Sequence, residues 1–416
     1  MFGTLCKGRA PGNSTLCKRE ARPRVLQACP TSISATRLLV EERFDNFVTH
    51  AAYNEAANLP EPQWQDNQLR WSRPAEIARV VAPSGSPPIV ILPGFGNASM
   101  DYTAPFGNEE SSLHARLVAR GWCPFVVPVE RKDWFRVARA LLTRGFWQGK
   151  LTTHPGYTWY LDRVAATVTH AMRQTGAEQV ILVGHSAGGW LGRAYLGDLR
   201  YQRRQPADDA VLVNVAATAV ATELPGPGTM GATPNPRVRA LVTLGTPQRP
   251  PPQDKKRDMT GGAQGWVERC YPGAFFAAAG VSYVSVCGRT VRGHRDFPRI
   301  REGPRVVEEY AFDSYREVCG EGEGLVGDCV VPLSSAMLPG ARHVILDGVF
   351  HSMSKIGTFD EDSGQVWYGS EDVLDCWLGP LVDELERGPT TGSAECGSGM
   401  MAGSAQGTSP DLADAV

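Results

Sequence analysis

The sequence predicts an α/β fold with a mostly parallel central sheet flanked by helices, and three observations carry that expectation. Short apolar segments recur along the middle of the chain, helical patterns separate them, and one segment runs straight into a glycine-flanked serine turn. The candidate strands are residues 89–92, 125–129, 180–183, 240–244, 283–286 and 344–346. They read as short continuous apolar runs rather than alternating ones, as parallel strands covered on both faces do. The candidate helices are residues 109–120, 159–175, 189–199 and 373–386. In the second of these, Leu161, Val164, Val168 and Met172 recur near the 3.6-residue period. No internal repeat is visible. Residues 201–237, rich in proline and glycine, read as an excursion between the serine helix and the next strand. Residues 247–280 begin with a proline and charge cluster that would overhang the carboxyl edge of the sheet, and they are expected to form a lid region.

Composition narrows the class. A chain of 416 residues with 42% hydrophobic and 21% charged residues can bury a sizeable core, and residues 46–388 are expected to form one elaborated domain. A formal charge of −2 gives no reason to expect a nucleic-acid partner. No apolar run reaches membrane-spanning length; residues 211–222 come nearest and are short and rich in alanine. The ten cysteines contain no Cys-x-x-Cys pair, which argues against zinc-ribbon and thioredoxin-like readings. Cys319 and Cys329 bracket a glycine-rich loop and could bridge under oxidising conditions. Near the start, Lys7, Arg9, Lys18, Arg19, Arg22, Arg24 and Arg37 face one acid, Glu20, with hydroxyl residues interspersed and no compact apolar segment. Residues 1–45 therefore read as an organellar transit peptide, with an untargeted basic tail as the alternative. Residues 389–416 are small and polar and are expected to form a flexible tail.

The serine turn is Gly184-His185-Ser186-Ala187-Gly188, preceded by Val180–Val183 as a strand and followed by a helix-compatible stretch. This is Gly-x-Ser-x-Gly in its strand–turn–helix context, where a sharp turn lifts the serine hydroxyl above the sheet edge. Glycines flank it because any Cβ there would crowd the neighbouring backbone. The helix directs its positive end toward the reacting oxygen. Ser186 is the candidate nucleophile. A serine hydroxyl is weak until a base takes its proton, and the base must be oriented by a third group. Three histidines follow the turn. His343 begins the last strand, His294 sits in a charged loop, and His351 follows the strand in a loop that could return to the serine, so His351 is the candidate base. The candidate acid is Asp328, in a loop entering an apolar segment; Asp347, Asp313, Glu321 and Glu323 are its rivals. For an oxyanion hole the Ala187 N–H lies at the helix start. Residues 93–96, Pro-Gly-Phe-Gly after the first strand, supply the Phe95 N–H.

These segments resemble the α/β-hydrolase superfamily. The resemblance is to lipase-like hydrolases of plastids and cyanobacteria, distantly similar to GPI inositol-deacylase-type hydrolases. It rests on residues 92–97 (Leu-Pro-Gly-Phe-Gly-Asn), 184–191 (Gly-His-Ser-Ala-Gly-Gly-Trp-Leu), 241–247 (Leu-Val-Thr-Leu-Gly-Thr-Pro), 327–332 (Gly-Asp-Cys-Val-Val-Pro) and 348–352 (Gly-Val-Phe-His-Ser). It covers roughly residues 87–380. It implies the α/β-hydrolase fold, ester hydrolysis through Ser186, Asp328 and His351, and no metal or organic cofactor. Pro93 replaces the histidine common before Gly94 in such hydrolases, which leaves the backbone donor intact.

Residues 131–147 mix Trp134, Phe135, Phe146 and Trp147 with arginines. Such an element beside the active-site edge could rest on an anionic membrane surface or line an acyl pocket, with Trp134, Phe135 and Trp147 as substrate contacts. Aromatic core is the alternative. The function expected is that of a serine esterase or lipase on carboxylic esters. An acyltransferase using the same acyl-enzyme and a non-enzymatic ligand receptor on a hydrolase scaffold remain as alternatives. The leader and the resemblance together place the protein in the chloroplast, with the mitochondrion second. Fused to a fluorescent reporter, residues 1–45 are expected to carry it into an organelle and be cleaved there. A reporter left in the cytosol with its leader uncut contradicts this.

Overall fold

Six apolar segments pair into one all-parallel sheet: β1 (Ile89–Leu92), β2 (Pro124–Val126), β3 (Val180–His185), β4 (Val238–Leu244), β5 (Ser282–Arg289) and β6 (Arg342–Asp347). Their order across the sheet is β6-β5-β4-β3-β1-β2. The computed structural model describes residues 64–65, 68–69, 77–202, 233–295, 306–353 and 364–387. The chain divides into two units, Met1–Asn58 and Leu59–Val416, and every described residue lies in the second. The expected leader, the tail from residue 389 and most of the 201–237 excursion lie outside the described residues.

β1 is wholly apolar, and β3 is apolar up to its last two residues, because helices cover both faces. Val90 and Leu92 of β1 pack with Val180 and Leu182 of β3 against Leu161, Val164 and Trp190. Ile89, Ile91, Ile181 and Val183 point the other way, onto Leu113, Leu117, Trp377 and Leu378. Strand alternation thus feeds two separate cores from one continuous run. The main helices are α1 (Leu113–Val118), α2 (Thr158–Thr175), α3 (Ala187–Gly197), α4 (Ala263–Cys270), α5 (Val306–Cys319) and α6 (Glu371–Arg387). The periodic residues Leu161, Val164 and Val168 are all buried, and α2 stops at Gly176, whose φ of 71° ends the helix without strain. Among the described residues no helix is long and apolar enough to cross a membrane.

The expected strand at 125–129 is only Pro124–Val126, and the expected helix at 109–120 only Leu113–Val118. Ser112 caps that helix, its hydroxyl accepting the Ala115 N–H, so the turn cannot begin earlier in register. Within residues 247–280 the chain forms turns and α4. A buried ion pair locks α6 down: Arg120 donates to Asp375 at 2.8 and 2.9 Å, with both side chains almost wholly excluded from solvent.

Two features of the topology place the site. The chain leaves β1 toward β2 on one side and then crosses back to β3 on the other, so β1 and β3 flank a switch point whose carboxyl ends open a crevice. A small antiparallel sheet of Trp64–Gln65, Gln68–Leu69, Val291–Arg292 and Val326–Gly327 then anchors the chain immediately before Asp328.

Candidate active site

Ser186 stands at the carboxyl end of β3 with φ 51° and ψ −126°, a conformation that side-chain-bearing residues avoid. Its N–H is held by Leu244 O of β4 at 2.8 Å, and α3 begins at the next residue. The flanking glycines are required by close packing. A Cβ on Gly184 would lie 2.5 Å from Gly189, and one on Gly188 would lie 2.2 Å from Leu92 O.

Asp328 and His351 come together on neighbouring loops. His351 Nδ1 donates to Asp328 Oδ2 at 2.8 Å, and the His351 N–H donates to the Asp328 carbonyl at 2.8 Å. Asp328 is completely buried, so its charge must be answered by donors. Val330 and Val331 give their N–H groups to Oδ1 at 3.0 and 2.7 Å, and the Tyr368 hydroxyl gives to Oδ2 at 2.6 Å. Cys329, with φ 84°, makes the reversal that folds those two amides back onto the carboxylate. With Nδ1 protonated toward Asp328, His351 Nε2 carries the lone pair. Ser186 Oγ has no hydrogen bond to His351 here; bonds of this kind commonly tighten only around a substrate.

The loop after β1 meets the serine turn directly, since a Cβ on Gly94 would lie 2.8 Å from Ser186 Cβ. Neither the Phe95 nor the Ala187 N–H has an acceptor among the described residues. The Phe95 ring is 59% exposed and rests against Trp134, with centroids 5.0 Å apart.

The rival residues are engaged elsewhere. Asp347 pairs with Arg289 at 2.6 Å, Asp313 with Arg295 and Arg316, Glu321 with Lys255, and Glu323 with His294. His343 bonds Leu338 O at 2.7 Å. No disulfide joins Cys319 and Cys329: the Cys319 thiol faces Glu321 O at 3.4 Å and the Cys329 thiol Val307 O at 3.9 Å. Among the described residues no cluster of His, Cys, Asp or Glu is arranged to hold a metal ion.

The segment after residue 130 divides into two faces. Arg131–Leu142 is a 3-10 helix, and Trp134 and Phe146 turn inward. Trp134 Nε1 donates to Asn97 O at 2.8 Å, and its ring packs on Trp159 and Tyr160. Phe135, Leu142 and Trp147 face outward, 79%, 90% and 63% exposed. Of the aromatics expected at a lipid surface, Trp134 and Phe146 are therefore core, and Phe135 and Trp147 are the ones a surface can reach.

Residues that sequence reasoning did not single out complete the site. Tyr368 supports Asp328, and burial pushes its hydroxyl well above its usual range near 10, so it remains a donor. His185, inside the serine motif, and Tyr102 are joined by a 2.7 Å hydrogen bond and are both buried. Only the position of His185 beside Ser186 could have pointed to it.

Fold and site together define a class. The profile of the alpha/beta hydrolase family matches residues 89–353, and the chain belongs to that family. Among solved structures, a mature-form lipase of Bacillus licheniformis aligns at 14% identity over 74% of this chain and 96% of its own, with a TM-score of 0.38. EstA from Clostridium botulinum aligns at 12% identity over 82% of this chain and 97% of its own, with a TM-score of 0.37. A search of curated proteins finds no match.

Burial, and then the adjacent His351, hold the His185 imidazole well below its usual value near 6.5. The unfolded chain can take up a proton there that the folded chain cannot. Stability is therefore unaffected by this group above about pH 6.5 and falls as the pH drops below it. Comparing urea midpoints at about pH 7.5 and about pH 5.5, His185→Gln should lose less stability than the wild type over that interval. Equal losses would contradict a neutral His185.

Proposed function

We propose that the protein is a serine ester hydrolase that works through an acyl-enzyme on carboxylic esters of lipid-like character. The observation that supports this best is the buried, hydrogen-bonded Asp328–His351 pair on loops beside the strained Ser186 turn. In this reading His351 Nε2 takes the Ser186 proton as Oγ attacks the ester carbonyl carbon. The Phe95 and Ala187 N–H groups receive the developing oxyanion. The intermediate collapses, the C–O bond to the alcohol breaks, and His351 returns its proton to the departing alkoxide. Water, deprotonated by the same nitrogen, then attacks the acyl carbon, the bond to Ser186 Oγ breaks, and His351 gives its proton back to Oγ as the carboxylic acid leaves. Asp328 holds the tautomer and stabilises the imidazolium that forms in each half.

A lipid-like substrate is favoured by the surface next to the oxyanion loop. Phe95 is exposed and rests on Trp134, and the segment that carries Trp134 also exposes Phe135, Leu142, Trp147, Arg136, Arg139 and Arg144. An anionic membrane surface would meet both the apolar side chains and the cations. The narrower kinship with plastid and cyanobacterial lipase-like hydrolases, and a plastid location, belong to the same proposal.

Ser186→Ala should abolish hydrolysis of p-nitrophenyl esters without loss of fold, and turnover near wild type would reject Ser186. Asp328→Asn should lower kcat by orders of magnitude, since the wrong imidazole tautomer costs about 10⁴ in rate. Asp347→Asn should be far milder, and the reverse order would make Asp347 the acid. Phe135→Ser combined with Leu142→Ser should weaken binding to phosphatidylglycerol vesicles and slow long-chain ester hydrolysis, while sparing a short soluble ester. Unchanged vesicle binding would remove the surface-contact reading.

A further inference from the structure

Tyr102 lies in the short helix Met100–Thr103 and is completely buried, yet among the described residues its hydroxyl meets two groups of the loop after β1 and one at the end of β3. It accepts the Gly94 N–H at 3.1 Å and an amide hydrogen of Asn97 at 3.1 Å. An oxygen with two incoming donors has its own hydrogen to give, and His185 Nδ1 lies 2.7 Å away. That fixes the tautomer: Nδ1 accepts, so Nε2 carries the hydrogen and donates to the carbonyl oxygen of His351 at 2.9 Å. The His185 and His351 rings lie 4.7 Å apart between centroids. The chain of bonds therefore runs from Gly94, whose neighbour Phe95 offers an oxyanion donor, to the backbone of the residue that offers the base.

We infer that Tyr102 and His185 are positioning residues that hold the oxyanion loop and the His351 loop in register across the serine turn. This rests on the hydrolase reading above. An ester carbonyl attacked by Ser186 must meet the Phe95 N–H on one side while Ser186 meets His351 Nε2 on the other. Those groups sit on loops more than 250 residues apart in sequence. Catalytic geometry tolerates errors of only about 0.5 Å, and rigid hydrogen-bonded support is the means of meeting that tolerance. A core that merely needed filling could have used Phe and Leu at these two places. Here the two ends of the linked pair go to backbone groups of loops that touch the reaction, Tyr102 to the Gly94 N–H and His185 Nε2 to the His351 carbonyl. His185 must also stay neutral when His351 becomes an imidazolium beside it. Burial and the proximity of His351 both favour that neutral form.

Neither residue touches substrate, so their loss should appear in kcat and not in KM. Tyr102→Phe keeps the ring and removes the bridge. It should lower kcat for a short p-nitrophenyl ester by about tenfold to a hundredfold, with KM within about twofold and the thermal unfolding profile still cooperative. His185→Asn places an amide oxygen near the Nδ1 position and should retain more activity than His185→Leu. In parallel, ¹⁵N spectra of histidine-labelled wild type should show His185 as the Nε2–H tautomer. The proposal is overturned by the Nδ1–H tautomer, by a folded Tyr102→Phe with wild-type kcat, or by equal activity of the two His185 variants. Absence of Ser186-dependent turnover in the wild type is a different failure: it removes the hydrolase reading, and the positioning role with it.

Discussion

Ser186 occupies a left-handed backbone conformation, and strain of this kind costs about 1–3 kcal/mol. It persists because three segments close on it from different strands. The loop after β1 approaches through Gly94, β3 and α3 turn through Gly184 and Gly188, and the end of β4 supplies Leu244 O to the Ser186 N–H. A Cβ at Gly189 would lie 2.0 Å from the Thr246 hydroxyl, so the next segment after β4 is packed as tightly. The sheet's parallel order makes this convergence possible, since it brings the carboxyl ends of β1, β3 and β4 side by side.

Around that turn the polar groups are buried and answered. Asp328 accepts from two backbone amides, a tyrosine hydroxyl and an imidazole, which is how an anion with no solvent contact is sustained. Tyr368 itself also accepts the Gly288 N–H at 2.9 Å, tying the acid loop to the end of β5. The ion pair between Arg120 and Asp375 fixes α6, the helix that follows Tyr368. Removing one partner of such a pair typically costs about 3–5 kcal/mol, so the acid's support depends on charges far from the crevice.

Much of this was legible in the sequence because the signals are local. Continuous apolar runs gave away strands covered on both faces, and Gly184 to Gly188 marked the turn through its own small residues. Asp328 could be picked out by its place in a loop entering an apolar segment, and His351 by its place in the loop after the last strand. The supporting groups were not legible, because Tyr102 is 83 residues from His185 and Tyr368 is 40 from Asp328, with no pattern linking them. Residues 131–142 misled for a different reason. Composition marked a mixed basic and aromatic element but not which side chains turn inward, and the segment is a 3-10 helix with three residues per turn. Trp134, Val137 and Ala140 then fall on the inner face, while Phe135, Ala138 and Leu141 face out.

In the proposed reaction Ser186, held in its strained turn, attacks an ester carbonyl whose oxygen is received by the Phe95 and Ala187 amides. A crystal structure after reaction with a fluorophosphonate tests it most directly. The expected structure has a bond from Ser186 Oγ to phosphorus, with the phosphonyl oxygen within hydrogen-bond distance of both amides and His351 Nε2 facing Oγ. An adduct on any other residue, or one on Ser186 whose oxygen points away from both amides, would contradict it.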